Sequence, residues 1–212
     1  MSEDAQELLI FPCNGNALEA LDCLGDLHRL IGFIDDAVEK QGRAAFGYPV
    51  FGRDALTRWP TARVLAIPGS PTSYRARREV IDGLGVAGDR FATVIHRSAS
   101  VSKLARIGRN VLIMAGVVIT SNAVIGDHVC VLPNTVIHHD AVVGAWTLIG
   151  SNVTIAGGAL VAANCYIGSG SSLMNGVQVG ENCLVGMGSN VIRNVRAGNT
   201  VAGNPARELQ TA

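Results

Sequence analysis

The fold of this chain is decided by residues 107–131, which read IGRNVLIMAGVVITSNAVIGDHVCV. Within them a branched aliphatic residue returns at every sixth position, and the same period runs unbroken from Ile95 to Val191 through seventeen positions. A period of six residues indicates a parallel β-helix, in which each repeat supplies one short strand and one bend. Because three repeats make one triangular coil, the series predicts between five and six coils.

Two further columns follow the same period. The fourth residue after each aliphatic position is always Ala, Val, Thr, Ser or Cys. We expect both columns to point into the prism, where larger side chains would overpack. The third residue is often Asn or Gly, which tolerate the positive φ that a tight bend requires. This bend column contains Asn110, Gly116, Asn122, Asn134, Asn152, Gly158, Asn164, Gly170, Gly176, Asn182, Gly188 and Asn194.

Composition narrows the possible partners and the compartment. The 17 Lys and Arg residues balance 17 Asp and Glu residues, and this zero net charge does not suggest a nucleic-acid partner. The apolar run Leu8–Phe11 is too short for a signal sequence or a membrane span. A cytoplasmic protein without a membrane span is therefore the expectation.

The cysteines are expected to be free and structural. The chain has five, an odd number, and none lie in CxxC spacing, so neither a disulfide framework nor a zinc site is expected. Cys165 and Cys183 lie eighteen residues apart in the small inward column. This spacing places them in adjacent coils, where they would act as small buried hydrophobes.

The change of period near residue 92 predicts two domains, residues 1–91 and residues 92–212. The first reads as alternating strand and helix, which predicts a Rossmann-like βαβ sheet and gives an α/β unit in front of an all-β one. His28 is expected to end its first helix, where a cation suits the helix dipole. The predicted elements are a strand over Leu8–Phe11, a helix over Ala17–Arg29, strands over Ile31–Ile34 and Val64–Ile67, and a helix over Ser73–Leu84.

Two short segments of the first domain are candidate substrate contacts. Asn14, Gly15 and Asn16 follow the first strand and open the first helix, where free backbone N–H groups would meet a phosphate. Asp35 and Asp36 end the second strand, where carboxylates accept hydrogen bonds from a ribose or a base. The alternatives are a turn built for backbone reasons and a solvated strand end.

Six segments in a fixed order span nearly the whole chain: Gly32-Phe33-Ile34-Asp35-Asp36, Gly47-Tyr48-Pro49-Val50-Phe51-Gly52, Val94-Ile95-His96, Val136-Ile137-His138-His139-Asp140, Ala156-Gly157-Gly158 and Val201-Ala202-Gly203-Asn204-Pro205-Ala206-Arg207. Together they resemble the hexapeptide-repeat sugar acyltransferases of bacterial surface-glycan synthesis. That family includes the sialic acid O-acetyltransferases and the N-acetyltransferases of the bacillosamine and perosamine pathways. The resemblance implies a left-handed coil, a homotrimer with the acyl-coenzyme A cleft between neighbouring prisms, and a first domain that binds a sugar nucleotide.

The resemblance also implies roles for particular residues. His139 stands at the family's general-base position, and a neutral imidazole suits proton removal near neutral pH. Asp140 matches the residue that orients the ring, and His138 is a second-rank candidate for substrate contact. Leu148 stands where many relatives carry a second histidine, and the first turn lacks the family's glycine-rich, histidine-containing pattern.

The cosubstrate contacts come from the same resemblance. Gly157 and Gly158 are placed at the thioester, where backbone N–H groups can serve an oxyanion. The terminal segment is placed along coenzyme A, with Arg207 and either Arg193 or Arg196 near phosphate. The residues of that segment assigned to coenzyme A are Ala202, Gly203, Pro205 and Arg207.

These features predict an acetyl-CoA-dependent acetyltransferase that acts on an amino group of a nucleotide-linked sugar without a metal. Alternatives are a sialic acid-type or other sugar O-acetyltransferase and a non-catalytic β-helix module for binding or assembly. A carbonic anhydrase on the same prism needs three histidines around zinc, and the histidines here lack a close pair at that spacing. Of the histidines other than His138 and His139, we interpret His96 and His128 as polar surface residues. Serine acetyltransferases carry a helical first domain, which disagrees with the βαβ pattern.

Overall fold

A small α/β unit precedes a three-sided parallel β-helix in the computed structural model, which describes residues 5–209. The α/β unit contains one five-stranded sheet with short helices around it. Its elements are β1 (Gln6–Phe11), α1 (Gly15–Glu19), a 3₁₀ turn (Ala20–Cys23), β2 (His28–Ile34), a 3₁₀ turn (Val38–Lys40), β3 (Ala44–Ala45), β4 (Tyr48–Phe51), α2 (Ala55–Arg58), β5 (Arg63–Ala66), a 3₁₀ turn (Tyr74–Ala76), α3 (Arg77–Asp82) and a 3₁₀ turn (Gly88–Arg90).

The sheet has the order β3-β4-β2-β1-β5. Strands β4, β2, β1 and β5 are parallel, and β3 pairs antiparallel with β4. After β1 the chain builds β2 on one side of it and later returns to place β5 on the other side. The loops after β1 and β5 therefore diverge at a topological switch point, where parallel sheets bind ligands.

The predicted first helix is too long. The α-helix ends at Glu19 and continues as the 3₁₀ turn to Cys23, because Gly25 then takes φ +55° and turns the chain. His28 begins β2 instead of ending the helix, so the interpretation of His28 as a helix-terminal cation is wrong. The predicted helix over 73–84 is also shorter, and β3, β4 and α2 were not predicted because such short elements carry little periodic signal.

The β-helix is built from two-residue strands at six-residue intervals. Successive strands fall in turn on a first, a second and a third face, and the chain closes with two terminal strands on the first face. The first face holds β6 (Val94–Ile95), β9 (Leu112–Ile113), β12 (Cys130–Val131), β15 (Leu148–Ile149), β18 (Tyr166–Ile167), β21 (Leu184–Val185), β23 (Thr200–Ala202) and β24 (Arg207–Glu208). The second holds β7 (Ser100–Val101), β10 (Val118–Ile119), β13 (Val136–Ile137), β16 (Thr154–Ile155), β19 (Ser172–Leu173) and β22 (Asn190–Val191). The third holds β8 (Arg106–Ile107), β11 (Val124–Ile125), β14 (Val142–Val143), β17 (Leu160–Val161) and β20 (Gln178–Val179).

Each strand pairs in parallel with the strand one coil later, as Val136 does with Thr154. Both repeat columns fill the interior, and their members are almost fully buried from Val111 onward. Ile95 is 41% exposed because no coil lies before it. The predicted fold class, an α/β unit followed by a parallel β-helix of hexapeptide repeats, is confirmed.

The predicted bend chemistry is also confirmed. Every member of the Asn and Gly column takes positive φ except Asn194, where the regular coils end. Three other residues occupy the same bend position with positive φ, namely His128 (62°), Asp140 (59°) and Trp146 (60°). Such conformations cost about 1–3 kcal/mol for residues of this kind, so another interaction must favour these side chains.

The first face of the prism is covered by the α/β sheet. Side chains that point outward from this face, including Leu112, Cys130 and Leu148, form one buried apolar cluster with Leu8 and Ile10 of the sheet. Each buried aliphatic side chain contributes about 1.5–3 kcal/mol, which makes this a firm junction between the two units.

Arg77 ties the two units together at the corner between the third and first faces. Its side chain is 1% exposed, and its Nε donates to the Trp146 carbonyl at 2.9 Å. The guanidinium also donates to the carbonyls of His128 and Pro68. Burial lowers the pKa of Arg77 to about 10, so the group is still charged at neutral pH.

His128 is not a surface residue, contrary to the sequence-based interpretation. Its ring stacks on the Trp146 ring with the centroids 5.6 Å apart, and it lies perpendicular to the Phe91 ring at a centroid distance of 5.0 Å. Its Nδ1 is 2.9 Å from Nδ2 of Asn110. Burial is the main cause that lowers its pKa. The reason is that the α/β unit covers this corner, which one-dimensional spacing does not reveal.

Asn110 covers the edge of β5 at Ala66. Its Oδ1 accepts the Ala66 N–H and its Nδ2 donates to the Ala66 carbonyl, both at 2.7 Å and fully buried. Strand β5 has β1 as its strand partner in the sheet, so these two backbone groups face the prism. Asn110 therefore satisfies both groups of an edge residue with one side chain.

We predict that Asn110→Ala lowers the free energy of unfolding by about 2–4 kcal/mol more than Asn152→Ala does, because it leaves two buried backbone groups without partners. Asn152 is the matched control: it is an exposed bend residue at φ 55°, close to the 54° of Asn110. Both variants therefore lose an asparagine that tolerates positive φ, and the cost of that loss cancels when their free energies of unfolding are compared. Urea denaturation of both variants measures the difference, and equal losses would contradict the proposed docking bond.

Candidate active site

The residues His138, His139 and Asp140 lie at the corner between the second and third faces, directly after β13. In a triangular prism this corner lies opposite the first face. Because the α/β unit covers the first face, the three residues are on the far side of the prism from their own sheet.

His139 and Asp140 form a hydrogen-bonded pair. The ring Nδ1 lies 2.8 Å from Asp140 Oδ2, and the side chains are 62% and 57% exposed. The hydrogen bond from His139 is the main cause that holds the pKa of Asp140 below its usual value, and Asn122 adds to it. An ionised carboxylate on Nδ1 favours a proton on that nitrogen and leaves Nε2 as an acceptor.

Asn122 completes the arrangement and was missed at the sequence level. Its Nδ2 donates to the other oxygen of Asp140, Oδ1, at 3.1 Å. The signal that would have found it is the spacing, because Asn122 precedes Asp140 by the eighteen residues of one coil and so lies beside it in the preceding coil.

Gly157 lies against the ring of His139, one coil later. A Cβ on Gly157 would be 2.6 Å from Nε2 and 2.7 Å from Cε1 of His139, so only glycine leaves room for the ring there. The N–H of Gly158 donates to the His139 carbonyl at 3.0 Å and is therefore occupied. The N–H of Gly157 makes no hydrogen bond within residues 5–209, so it is the free donor of the two.

A groove on the second face leads from this corner toward the end of the prism. It is lined by mostly apolar residues, among them Ala156, Met174, Ile192 and Pro205. Strand β23, which contains Ala202, is followed by Gly203 at φ 102°, and this turn places the Asn204–Pro205 segment in the groove.

Three arginines line a second cavity at the end of the prism, next to the groove: Arg193, Arg196 and Arg207. The same cavity is lined by Val191 and Ile192, which also line the groove. The structure thus brings together all the arginines that the sequence suggested for a phosphate. A cavity with three guanidinium groups suits phosphate oxygens.

A separate cleft of about 170 Å³ lies at the switch point of the sheet, between the α/β unit and the first face. Asn16 lines it together with Gly69 and Ser70 from the loop after β5, while Leu148 and Tyr166 form its prism wall. The Gly69–Ser70 loop was not singled out from the sequence, since its residues are ordinary turn formers. Leu148 is 4% exposed and fills part of the wall.

The other residues of the first turn shape it. Asn14 caps α1, with its Oδ1 accepting the Ala17 N–H at 2.9 Å, and Gly15 begins that helix. The helix has five residues, so most of its backbone N–H groups lie in the first turn, where a helix offers them no carbonyl partner. Asn14 and Gly15 therefore position Asn16 at the cleft.

The two carboxylates after β2 are held by their own domain. Asp35 is 4% exposed and accepts hydrogen bonds from Cys13 N, Ala37 N and Lys40 Nζ. Asp36 forms a two-pronged pair with Arg53, which is the main cause of its lowered pKa. Neither lines the cleft, so neither is free to meet a ligand there without exchanging these partners.

The remaining predicted groups do not take part in the hydrogen-bonded arrangement of His139 and Asp140. His138 is half-buried beside His139 and its side chain makes no hydrogen bond within the described residues. All five cysteines are free, and burial raises the pKa of Cys165 to about 12. Residues 5–209 contain no group of three or more His, Cys, Asp or Glu that could hold a metal ion. In that same part of the chain no helix has the length and apolar character to cross a membrane.

Comparison with known proteins identifies the repeat. The family model described as "Bacterial transferase hexapeptide (six repeats)" matches residues 104–139, 122–157 and 158–193. A search of curated proteins gives no match.

Solved structures match both units. A histidine-to-asparagine mutant of perosamine N-acetyltransferase from Caulobacter crescentus, in complex with CoA and GDP-perosamine, is 26% identical over 98% of each chain, with a TM-score of 0.84. The acetyltransferase domain of PglB from Neisseria gonorrhoeae FA1090, in complex with acetyl coenzyme A, is 26% identical over 97% of this chain and 100% of that chain, with a TM-score of 0.83. WeeI from Acinetobacter baumannii AYE shares the fold at 23% identity over 97% and 100%, with a TM-score of 0.82.

We predict that Gly157→Ala displaces the His139 ring and breaks its bond to Asp140, because the added methyl group occupies the position next to Nε2. The ¹⁵N chemical shifts of the ring report the loss of the single tautomer. Gly158→Asn is the matched control, since Gly158 has φ 67° and open space around it. Unchanged ring shifts in Gly157→Ala would contradict this packing.

Proposed function

We propose that this chain transfers an acetyl group from acetyl-CoA to the amino group of a nucleotide-linked sugar, because its repeats match the bacterial transferase hexapeptide model and solved acetyltransferase structures match nearly its whole length. The observation that carries the proposal is the hydrogen-bonded series Asn122–Asp140–His139, with the ring against Gly157 at the head of the groove. The Caulobacter crescentus enzyme, which matches over 98% of each chain, supports the sugar-nucleotide acceptor.

In the proposed reaction His139 is the general base. Its Nε2 takes a proton from the acceptor amine as the amine nitrogen attacks the thioester carbon. Asp140 holds Nδ1 and stabilises the imidazolium that forms, while Asn122 holds Asp140 in place. The tetrahedral intermediate then collapses, and its C–S electron pair leaves with sulfur, which receives the proton from His139. Transfer is direct, because the buried thiols of Cys165 and Cys183 lie inside the prism and not at this corner.

The groove and the arginine cavity would hold the cosubstrate. We assign the apolar groove between Ala156 and Pro205 to the pantetheine arm, whose thioester then lies at Gly157. The guanidinium groups of Arg193, Arg196 and Arg207 would meet the coenzyme A phosphates, where forked donors are stronger than a single charge. No metal is part of this scheme.

The site is incomplete in one chain. The cleft with Asn16 and Ser70 lies on the first face, whereas His139 lies on the opposite corner, so a base from another copy must reach each cleft. The faces on both sides of the corner expose aliphatic side chains suited to such contact, of which Leu160 is 38% exposed. We therefore assign a homotrimer, with the sugar nucleotide bound by one subunit and deprotonated by its neighbour.

The two acidic residues after β2 keep a secondary place in the proposal. Asp35 and Asp36 lie at the carboxyl edge of the sheet near Cys13, next to the turn of Asn14, Gly15 and Asn16. Contact with a ribose or base would require them to exchange Lys40 and Arg53 for the ligand. His138 is assigned to acceptor contact from its position beside His139. The setting we propose is surface-glycan synthesis in the cytoplasm.

We predict that His139→Ala lowers kcat at least about a hundredfold, the low end of general-base contributions, while the protein remains folded because the side chain is exposed. Steady-state assays with acetyl-CoA and GDP- or UDP-linked 4-amino sugars measure the loss. His96→Ala is the control, since that half-buried ring lies at the start of the prism and its hydrogen bonds among the described residues are only to Ser98. Turnover of His139→Ala near that of the unaltered protein would show that His139 is not the base.

The same assays distinguish the two acceptors. Acetylation of a sugar hydroxyl group in preference to the amino group would favour O-acetylation.

We predict that two inactive variants complement each other when they are co-expressed. In Ser70→Trp the cleft is filled, and in His139→Ala the base is missing. If each site takes its cleft from one subunit and its base from the next, random mixing at equal amounts restores about a quarter of the sites. Sedimentation confirms the assembly in each sample. If mixed trimers of the two variants regain no activity, the cleft and the base of one site belong to the same chain.

A further inference from the structure

Asn175 lies at the same corner as His139 and Gly157, one coil beyond the glycine. It follows Gly157 by eighteen residues, and the Gly176 N–H donates to the Gly157 carbonyl, which fixes the stacking of the two coils. The side chain is exposed, and its amide forms no hydrogen bond within residues 5–209. An asparagine at a bend of this prism usually serves positive φ, but Asn175 is not in the bend column and does not take positive φ.

The amide of Asn175 and the ring of His139 flank one point above Gly157. A Cβ placed on Gly157 would be 2.6 Å from His139 Nε2 and 3.2 Å from Asn175 Nδ2. The two nitrogens are therefore less than about 6 Å apart, so that a base and an amide donor lie within reach of the same reacting group. The ring and the amide come this close to the backbone because Gly157 has no side chain.

The two nitrogens have different chemistry. While His139 acts as a base, its Nε2 accepts a proton and cannot donate to an oxyanion. The Asn175 Nδ2 carries two N–H donors at every pH of interest and needs no titration to donate. If the free Gly157 N–H acted alone, the negative charge that develops on the acetyl carbonyl oxygen would have one hydrogen-bond donor. A second donor lowers the energy of the transition state further.

We propose that Asn175 is a catalytic residue that donates a hydrogen bond from Nδ2 to the acetyl carbonyl oxygen of the thioester. As the amine nitrogen bonds to the carbonyl carbon, the C=O π-electron pair moves to oxygen, and Asn175 with the Gly157 N–H stabilises this oxyanion. The pair returns when the C–S bond breaks. This role rests on the proposed acetyl transfer, but it concerns the donor thioester and holds for any acceptor.

The kinetic test uses Asn175→Ala and Asn175→Asp. We expect Asn175→Ala to lower kcat by about a hundredfold, as loss of one oxyanion donor does, with KM for acetyl-CoA and for the acceptor within about twofold. Asn175→Asp should lose at least as much, because a carboxylate repels the oxyanion. The matched controls are Gln6→Ala and Gln6→Glu, which alter an exposed amide at the far end of β1. Turnover of Asn175→Ala equal to that of Gln6→Ala would overturn the role.

The spectroscopic test is independent of the acceptor. Isotope-edited infrared spectra of bound acetyl-CoA labelled with ¹³C at the carbonyl should show a lower stretching frequency in the unaltered protein than in Asn175→Ala. An identical frequency in the two proteins overturns the proposal whatever the turnover. A frequency shift in a protein that acetylates no nucleotide sugar supports Asn175 and refutes the proposed acceptor, so the two failures are distinguishable.

Discussion

The parallel ladder between coils is the constraint on which the molecule depends. Each two-residue strand from β6 to β19 hydrogen-bonds to the strand eighteen residues later, so a residue within these coils has its neighbours in the stack at eighteen residues before and after it. The ladder carries the aliphatic column inside the prism and, at the corner opposite the sheet, a column of chemical groups outside it. Because strands in a ladder lie about 4.8 Å apart, groups in adjacent coils come within hydrogen-bonding reach without any long side chain. Asn122 reaches Asp140 and Gly157 receives the His139 ring for this reason.

A second constraint is the way in which the α/β unit is docked. The buried cluster on the first face, the Arg77 guanidinium and the Asn110 amide bind the sheet to one side of the prism. Firm docking holds the cleft at Asn16 away from His139 in the same chain. The same contacts explain why His128 and Trp146 occupy bends that mostly carry Asn or Gly elsewhere: stacking against each other and packing around Arg77 offset the backbone strain.

The sequence predicts the prism well and the first unit less well. The period from Ile95 to Val191 is set by an interior that excludes both small gaps and large side chains, so register and bends follow from spacing alone. The α/β unit has no such repetition, and a single Gly25 ended a helix that the apolar pattern extended to Arg29. At the site, His139, Asp140 and Gly157 all came from the resemblance, and the eighteen-residue spacing agrees with the stacking of Gly157 beside His139. Asn122 was overlooked because an asparagine in the bend column is interpreted as bend chemistry. Asn175 lies outside that column and outside the six segments that carry the resemblance. The pairing of Asp35 with Lys40 and the cleft at Ser70 depend on which loops of a sheet face each other, which spacing along the chain does not encode.

The coil-by-coil register also limits how such a chain changes in length during evolution. Gain or loss of one complete coil beyond Val179 shifts the terminal segment by one ladder spacing but leaves Asn122, Asp140, His139 and Gly157 beside one another. Any insertion into the regular coils that is not a multiple of eighteen residues, if the coils keep their shape, turns every later group onto a different side of the prism. The groove can therefore lengthen only by whole coils if the groups around the His139 imidazole are to stay beside one another.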